Sequence, residues 1–415
     1  MPTTINTIFY ILSFVAIYGQ VFYLVTFLEN RKQLSPSTND TPILDYPSVS
    51  ILVPCWNEER SIQKTINSIL ALEYPREKIQ LIVIDDGSTD HTWTEIQKYK
   101  VHSNILLLKK ENGGKSSALN LGLEHVTGSL VASVDADTYL PEDSLKTMVQ
   151  YFIKNPKTMA VGSSTIINRP KTIIQKAQSA EYNLFIFTKK MLAMTGGALV
   201  LPGAFSVYRK TVFDTIGGYK TAHNLEDLEL TYRMQMNGYQ VDHAHDVFAY
   251  TTAPASLQTL FKQRLRWAYG FLKNTLDYRK AIFNTQYGTF GIFTIPTALI
   301  AYLVILYVFF LGWYRVIAGL VQKIAEVRIV GLSRALHSLH SFDIFKIDTR
   351  ATALLTTLLF VSVISYLMIG RSFAKNSKSS YISVVYFFML YNIIAPFWII
   401  KAIYNTAISK QVAWK

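Results

Sequence analysis

Val131-Ala-Ser-Val-Asp135-Ala-Asp137 is the stretch from which this 415-residue chain is best read. A run of small and apolar residues ends in two acids one residue apart. The run has the pattern of a strand buried on both faces of a parallel sheet, and the acids fall at its C-terminal tip. Open α/β sheets bind their ligands outside that end of the strands. Two carboxylates so close repel each other unless a cation lies between them. A hard divalent ion such as Mg²⁺ or Mn²⁺ fills that role and keeps coordination sites free for phosphate oxygens. An acidic loop after a strand has the same pattern, so other parts of the chain have to decide.

On either side of it, Ser48 to about Val247 alternates strands and helices. Val49–Val53 is a strand ended by Pro54, and a helix from Asn57 or Glu58 carries Ile62, Ile66, Ile69 and Leu70 on one face. Gln80–Ile84 is the next strand and ends in Asp85-Asp86-Gly87-Ser88; Asp85 at its tip could bond a base or a ribose hydroxyl. A helix from about Asp90 and a short strand Ile105–Leu108 follow. Asn112-Gly-Gly-Lys115 opens another helix. There, backbone N–H groups and the Lys115 ammonium can approach a phosphate, although a plain glycine turn has the same sequence. It has neither Walker A spacing nor a dinucleotide fingerprint, which removes the usual support for an ATPase or a dehydrogenase. The βαβα rhythm predicts an α/β domain with a mostly parallel sheet flanked by helices.

The second half of this region adds more polar groups. Ile173–Met194 has a helical pattern rich in Phe, Leu, Met and Tyr and includes Lys189-Lys190; it suits a core helix or one at a membrane interface. Leu201-Pro-Gly-Ala-Phe205 is a tight turn before a strand Ser206–Tyr208. Asn224-Leu-Glu226-Asp227 opens a helix. Acids in a first turn are favoured by the helix dipole, and a carboxylate there could equally serve as a general base. His243-Ala-His245 falls on a strand, where packing is the better reading than a metal site. Ser256–Asn274 is amphipathic and contains Gln263-Arg264-Leu265-Arg266-Trp267, with forked donors for a diphosphate and a flat apolar face for a sugar ring.

Composition places this domain at a membrane. Half the residues are hydrophobic and only 17% are charged. Ile5–Leu28 carries no charge and is long enough to cross ~30 Å of hydrocarbon. It lacks a basic n-region and a small-residue cleavage site, so it reads as a retained span. Arg31-Lys32 follow at once, which places the next segment in the cytoplasm by the positive-inside rule. Residues 31–47 form a linker. Ala281–Tyr314 is uncharged, with a span expected within Gly288–Trp313 kinked by Pro296. Ala351–Gly370 and Tyr381–Ile400 complete four spans. The basic stretch Arg315–Arg350 reads as an exposed loop or a surface-lying helix. The net charge of +13 suits an anionic lipid surface or nucleotide phosphates. No Lys/Arg-rich run has interleaved aromatics, so nucleic acid is not the expected partner. A single Cys55 rules out an internal disulfide and a cysteine-built metal cluster.

Asp85, Asp135-x-Asp137, Glu226-Asp227 and Gln263-Arg-Leu-Arg266-Trp267 occur in this order on one α/β domain between apolar helices. The ordered set resembles the processive family 2 glycosyltransferases, inverting enzymes of GT-A fold that include cellulose, chitin, hyaluronan and poly-N-acetylglucosamine synthases. The short chain and Gln-Arg-Leu-Arg-Trp-Ala-Tyr-Gly look most like the bacterial poly-β-1,6-N-acetylglucosamine synthases. The resemblance implies an N-terminal span (1–30), a cytoplasmic GT-A domain (48–250), an interface region with the Gln-x-x-Arg-Trp motif (251–285) and a C-terminal membrane region (286–415). Asp85 would bind the uracil and ribose end of a UDP-sugar, UDP-N-acetylglucosamine being favoured. Asp135 would hold the nucleotide, Asp137 the Mg²⁺ or Mn²⁺, and Lys115 would lie near the donor. Asp227, beside Glu226, would be the base that deprotonates the acceptor hydroxyl. Gln263 and Arg266 would steady the diphosphate and Trp267 would floor the acceptor sugar. Gly203, Ala204 and Phe205 fall where such enzymes line the acceptor site. One departure is Asn224-Leu225, where the usual motif has Thr directly ahead of the acids. The acceptor would be a growing polysaccharide or, as in lipid glucosyltransferases with similar motifs, a membrane lipid. The layout also leaves room for a small accessory membrane subunit. A silent membrane partner that only binds nucleotide is disfavoured by the joint presence of Asp137, Asp227 and Trp267.

Overall fold

The computed structural model describes residues 2–32, 34, 43–331, 351–374 and 381–410. Seven strands form one sheet: β1 (Val49–Cys55), β2 (Ile79–Asp86), β3 (Ile105–Lys110), β4 (Leu130–Val134), β5 (Thr158–Ile167), β6 (Phe205–Arg209) and β7 (Gln240–Thr251). Their order is β3-β2-β1-β4-β6-β5-β7. Only β6 runs against its neighbours β4 and β5; the other pairings are parallel. The continuous apolar strands are explained by burial on both faces. In β2, Leu81 and Val83 join one core cluster while Ile82 and Ile84 join the other. The first cluster is covered by α2 (Ile62–Leu70), α3 (Thr92–Gln97) and α5 (Ser144–Lys154). The second lies under α4 (Lys115–Leu123), α7 (Lys210–Ile216) and α8 (Glu226–Met236).

The antiparallel insertion of β6 positions the site. Its first residue, Phe205, pairs with Val134 at the last position of β4, and Asp135 N–H donates to Ala204 O at 3.3 Å. The Leu201–Ala204 turn therefore sits directly beside the acidic tip of β4. Local signals explain some element boundaries. The helix α6 (Ile173–Met194) opens on a capping box between Thr172 and Gln175, and Ser256 caps α9 (Leu257–Asp277) by accepting from Thr259 N–H. Helix α2 starts at Ile62 rather than at Asn57 or Glu58, because Asn57 has φ 56° and belongs to a turn.

Four helical segments are long and apolar enough to cross a membrane: Thr7–Asn30 of α1 (Pro2–Asn30), Phe290–Ile329, α11 (Ala351–Phe373) and α12 (Ile382–Ala407). Helix α10 (Ile295–Val330) follows a π turn at Phe290–Thr294, so Pro296 starts the helix instead of kinking its middle. The helix continues through Arg315, so the first part of the basic stretch is neither a loop nor a separate helix; residues 332–350 lie outside the described residues. At 40 residues this segment is about 60 Å long, roughly twice the hydrocarbon thickness. Helices α6 and α9 pack against α12, and α6 also against α11, which seats the α/β domain on the apolar helices.

Histidines 243 and 245 are both buried in β7 but have separate partners. His243 Nε2 lies 3.3 Å from Ser164 Oγ, and His245 Nε2 lies 3.2 Å from Leu34 O. A register break between Ser163 and Ser164 separates their surroundings. Among the described residues no group of three His, Cys, Asp or Glu side chains is placed to hold a metal by itself.

Candidate active site

Lys115 is the centre of the site. Its Nζ lies 2.6 Å from Asp135 Oδ1 and 2.9 Å from Glu226 Oε1, joining the tip of β4 to the start of α8. Asp86 aims it there. This acid accepts from Gly113 N–H at 3.0 Å and Gly114 N–H at 2.8 Å, and pairs with Lys110 Nζ at 2.8 Å. Those two amides are thus committed to Asp86, which corrects the expectation that they cradle a phosphate: the glycine turn presents Lys115. On the opposite side Gly203 N–H donates to Asp227 Oδ2 at 3.2 Å. A Cβ at position 203 would lie 2.8 Å from Lys115 Nζ and 3.4 Å from both Asp135 Oδ2 and Asp227 Oδ2. A side chain at 203 would displace the Lys115 ammonium from this convergence.

The approach to Glu226 is unusual. Ala222, His223 and Asn224 have φ of 47°, 54° and 64°, three consecutive left-handed residues without a glycine. Helix α9 holds them in place. Asn274 Nδ2 donates to Ala222 O at 2.9 Å, His223 Nε2 meets Asp277 Oδ2 at 2.8 Å, and Arg266 Nη1 donates to Asn224 O at 3.3 Å. Leu225 fills a notch left by Gly270, where a Cβ would come within 2.7 Å of Leu225 Cγ. Leu225 therefore replaces a hydroxyl's hydrogen bond with an apolar clip onto the helix that carries Gln263–Trp267.

Charge is concentrated here. Burial, then Glu226, push the Asp227 carboxyl up to about 6. Burial, then Asp135 and Glu58, push Asp137 up to about 7, although Thr251 Oγ1 donates to it at 3.3 Å. Burial pulls the Lys115 ammonium down, but Asp135, Glu226 and Asp227 outweigh it and hold it well above its ordinary value. Burial lowers Arg266 against the attraction of Glu226, Asp227 and Asp135, which brings its guanidinium into the same field. Two carboxyls displaced towards protonation mark a site with more negative charge than its own cations offset.

The remaining expected residues divide. Asp85 is fully buried at the tip of β2; Oδ1 accepts from Ser88 N–H at 3.2 Å, and Oδ2 has no partner among the described residues. With β1 between β2 and β4, it stands about 10 Å from Asp135. Phe205 is buried in the sheet, so it packs and does not line an acceptor site, and Ala204 is nearly so. Of that trio only Gly203 meets the acids. Gln263 Oε1 accepts from Arg264 Nη1 at 2.7 Å. Trp267 packs beside Leu225 and Phe271 on one side and Tyr182 on the other. A cleft of about 320 Å³ is lined by Asn57, Glu58, Glu59, Arg60 and Asp90; of these, Glu58 is close enough to raise the Asp137 carboxyl.

Residues 47–270, over half of the chain, match the family model described as "Glycosyltransferase like family 2". The chain belongs to glycosyltransferase family 2. This glycosyltransferase is 29% identical over 265 residues to the poly-beta-1,6-N-acetyl-D-glucosamine synthase of Staphylococcus aureus, covering 62% of this chain and 63% of that one. It is 32% identical over 224 residues to the enzyme of the same name from Staphylococcus epidermidis, with 54% of each chain covered. These matches span somewhat over half the length of those relatives. The fold is similar to that of a mannosyltransferase from Pyrobaculum calidifontis solved with GDP-Man and Mn²⁺. The TM-score is 0.56 at 18% identity, covering 96% of this chain and 99% of that one. The architecture is thus GT-A-like, and the family is one of inverting enzymes.

Several residues that shape the glycosyltransferase site have no role legible in the sequence. Asp86 has no local signal, because its partners lie on the next crossover. Glu181 and Tyr182 were hidden in the apolar pattern of α6. Half-buried Lys189 was visible there as a charge on an apolar helix. Burial brings its ammonium down to about 8, opposed by Asp227, so it too senses the proposed base.

Proposed function

We propose that this protein is a membrane-embedded inverting glycosyltransferase that adds N-acetylglucosamine from UDP-N-acetylglucosamine to the end of a growing β-linked polysaccharide. The observation that carries the proposal is the convergence of Lys115, Asp135, Glu226 and Asp227 around Gly203, at the C-terminal end of the central strand β4, where open α/β sheets bind their ligands. The synthase names of the staphylococcal relatives supply the sugar and the polymer.

In this scheme Asp227 takes the proton of the acceptor hydroxyl as that oxygen attacks the anomeric carbon. Its raised carboxyl is a stronger base than a free aspartate. Glu226 stays on Lys115 and keeps the ammonium beside the donor. Arg266, already in the field of the three acids, steadies the diphosphate, and Trp267 floors the acceptor ring. The orphaned Oδ2 of Asp85 is the acceptor left for a base N–H or ribose hydroxyl. Asp137 fits a divalent ion: half-buried, beside Asp135 and pushed up to about 7, it has too few protein ligands for a closed cage and suits an ion shared with a diphosphate. Bound there, Mg²⁺ or Mn²⁺ would offset the charge that develops on the leaving UDP. Arg31-Lys32 after the first span support a cytoplasmic catalytic domain, where UDP-sugars are supplied.

Membrane vesicles given UDP-N-acetylglucosamine, UDP-glucose and UDP-galactose separately test this. A long product formed from the first donor alone, and cut by a β-N-acetylglucosaminidase, is expected. A single-sugar glycolipid as the only product would overturn the polymer reading.

A further inference from the structure

We propose that Arg264 is a positioning residue through which helix α12 fixes the acceptor side of the site. Three elements meet at its guanidinium: α6 through Glu181, α9 through Arg264 itself and α12 through Tyr391. All three side chains are buried. Arg264 Nη2 pairs with Glu181 Oε2 and donates to Tyr391 Oη at 3.3 Å, and Tyr391 Oη donates to the same Glu181 oxygen at 2.7 Å. The other arm, Nη1, donates to Gln263 Oε1 at 2.7 Å. The flat face lies over the Trp267 ring, with Cζ 4.1 Å from its centroid. Tyr182, next to Glu181, feels the charges of both Arg264 and Asp137.

One planar group thus orients Gln263 and Trp267 while being fixed by a membrane helix. The combination of bonds and stack is specific to a guanidinium. An ammonium could pair with Glu181, but it could not at the same time stack on indole and reach Gln263. A buried ion pair is weak grounds for stability alone, since apolar residues of equal volume often serve as well. Orienting two site residues is a reason to keep one. A small tilt of α12 would move Tyr391 and, through Arg264, the floor under the acceptor. Among the described residues Lys115, Asp135 and Asp137 make no hydrogen bond to this triad, so its link to the donor side runs through Gln263 and through the charge of Asp137 felt at Tyr182.

This rests on the reading of Gln263 and Trp267 as parts of a sugar-transfer site. The test uses the full chain in lipid vesicles with UDP-N-acetylglucosamine as donor. Tyr391→Phe removes one hydroxyl and leaves the ion pair, and Arg264→Lys keeps the charge and removes the stack. Both are expected to lower kcat by about tenfold to a hundredfold, as for a small misplacement of a reacting group; donor KM stays within about twofold of wild type in Tyr391→Phe, and rises in Arg264→Lys, which also releases Gln263. Wild-type kcat in both variants, with only a lower unfolding temperature, would overturn the proposal and leave a fold brace. Asp227→Asn run alongside separates the two failures. If it is inactive while Tyr391→Phe is fully active, only the role of Arg264 is lost; if it transfers normally, the site reading is lost.

Discussion

At the scale of single residues, the site is a balance of charge among buried and half-buried groups. Lys115 pairs with two acids while Asp137 and Asp227 are both displaced upwards, Asp137 to about 7 and Asp227 to about 6. The consequence for stability has a definite sign. A carboxyl whose folded-state pKa is raised keeps its proton longer in the folded chain than in the unfolded one. Its contribution therefore falls as pH rises from about 4 to about 7. Without added metal, Asp137→Asn is expected to raise the unfolding temperature at pH 8 and to leave it little changed at pH 4. A lowered unfolding temperature at pH 8 would count against the charge balance described here. Adding Mn²⁺ should stabilise the wild type and not the variant. For catalysis the sign is opposite. Asp227 has to be ionised to accept a proton, so kcat should climb with pH through about 6 and level off above it, a limb that a pH profile of transfer would show. Gly203→Ala places a methyl group 2.8 Å from Lys115 Nζ, and a loss of transfer on the order of a hundredfold is expected in the same assay.

At the scale of elements, two devices bring the acids together. One is β6, whose antiparallel entry lays Gly203 against the tip of β4. The other is the left-handed run Ala222–Asn224, which costs of order 1–3 kcal/mol per residue and is held by α9 through Asn274, Asp277, Arg266 and the Leu225 notch. Gly270→Ala should push Leu225 out of that notch, destabilising the protein by about 1–3 kcal/mol and slowing transfer. Adding Leu225→Ala should recover part of both losses, and a double-mutant cycle measures the coupling. What could be read in advance follows from the same physics. The β4 run and its acids were legible because a strand buried on two faces must be apolar to its end. Gln263–Trp267 was legible because an amphipathic helix exposes its polar face in the pattern. The roles of Asp86, Leu225 and Phe205 depend on tertiary neighbours that no local pattern encodes. A left-handed run without glycine gives no signal either. The charge at Arg315 marks the end of the apolar part of α10 and not the end of the helix, so the span expected within Gly288–Trp313 is shorter than the helix that contains it.

For the whole molecule, the α/β domain is seated on apolar helices through α6 and α9, so the helix that carries Gln263–Trp267 packs directly on candidate membrane spans. If the domain lies in the cytoplasm, inside-out vesicles should use externally added UDP-N-acetylglucosamine and right-side-out vesicles should not. Transfer confined to right-side-out vesicles would reverse the topology proposed from Arg31-Lys32. The decisive experiment compares wild type with Asp227→Asn in lipid vesicles, measuring UDP binding and sugar transfer on the same preparation. UDP should bind within about twofold in both, and transfer should fall by about 10²- to 10⁴-fold in the variant, the range of a lost general base. Undiminished transfer by Asp227→Asn would contradict the assignment of this acidic cluster as the place where the glycosidic bond is made.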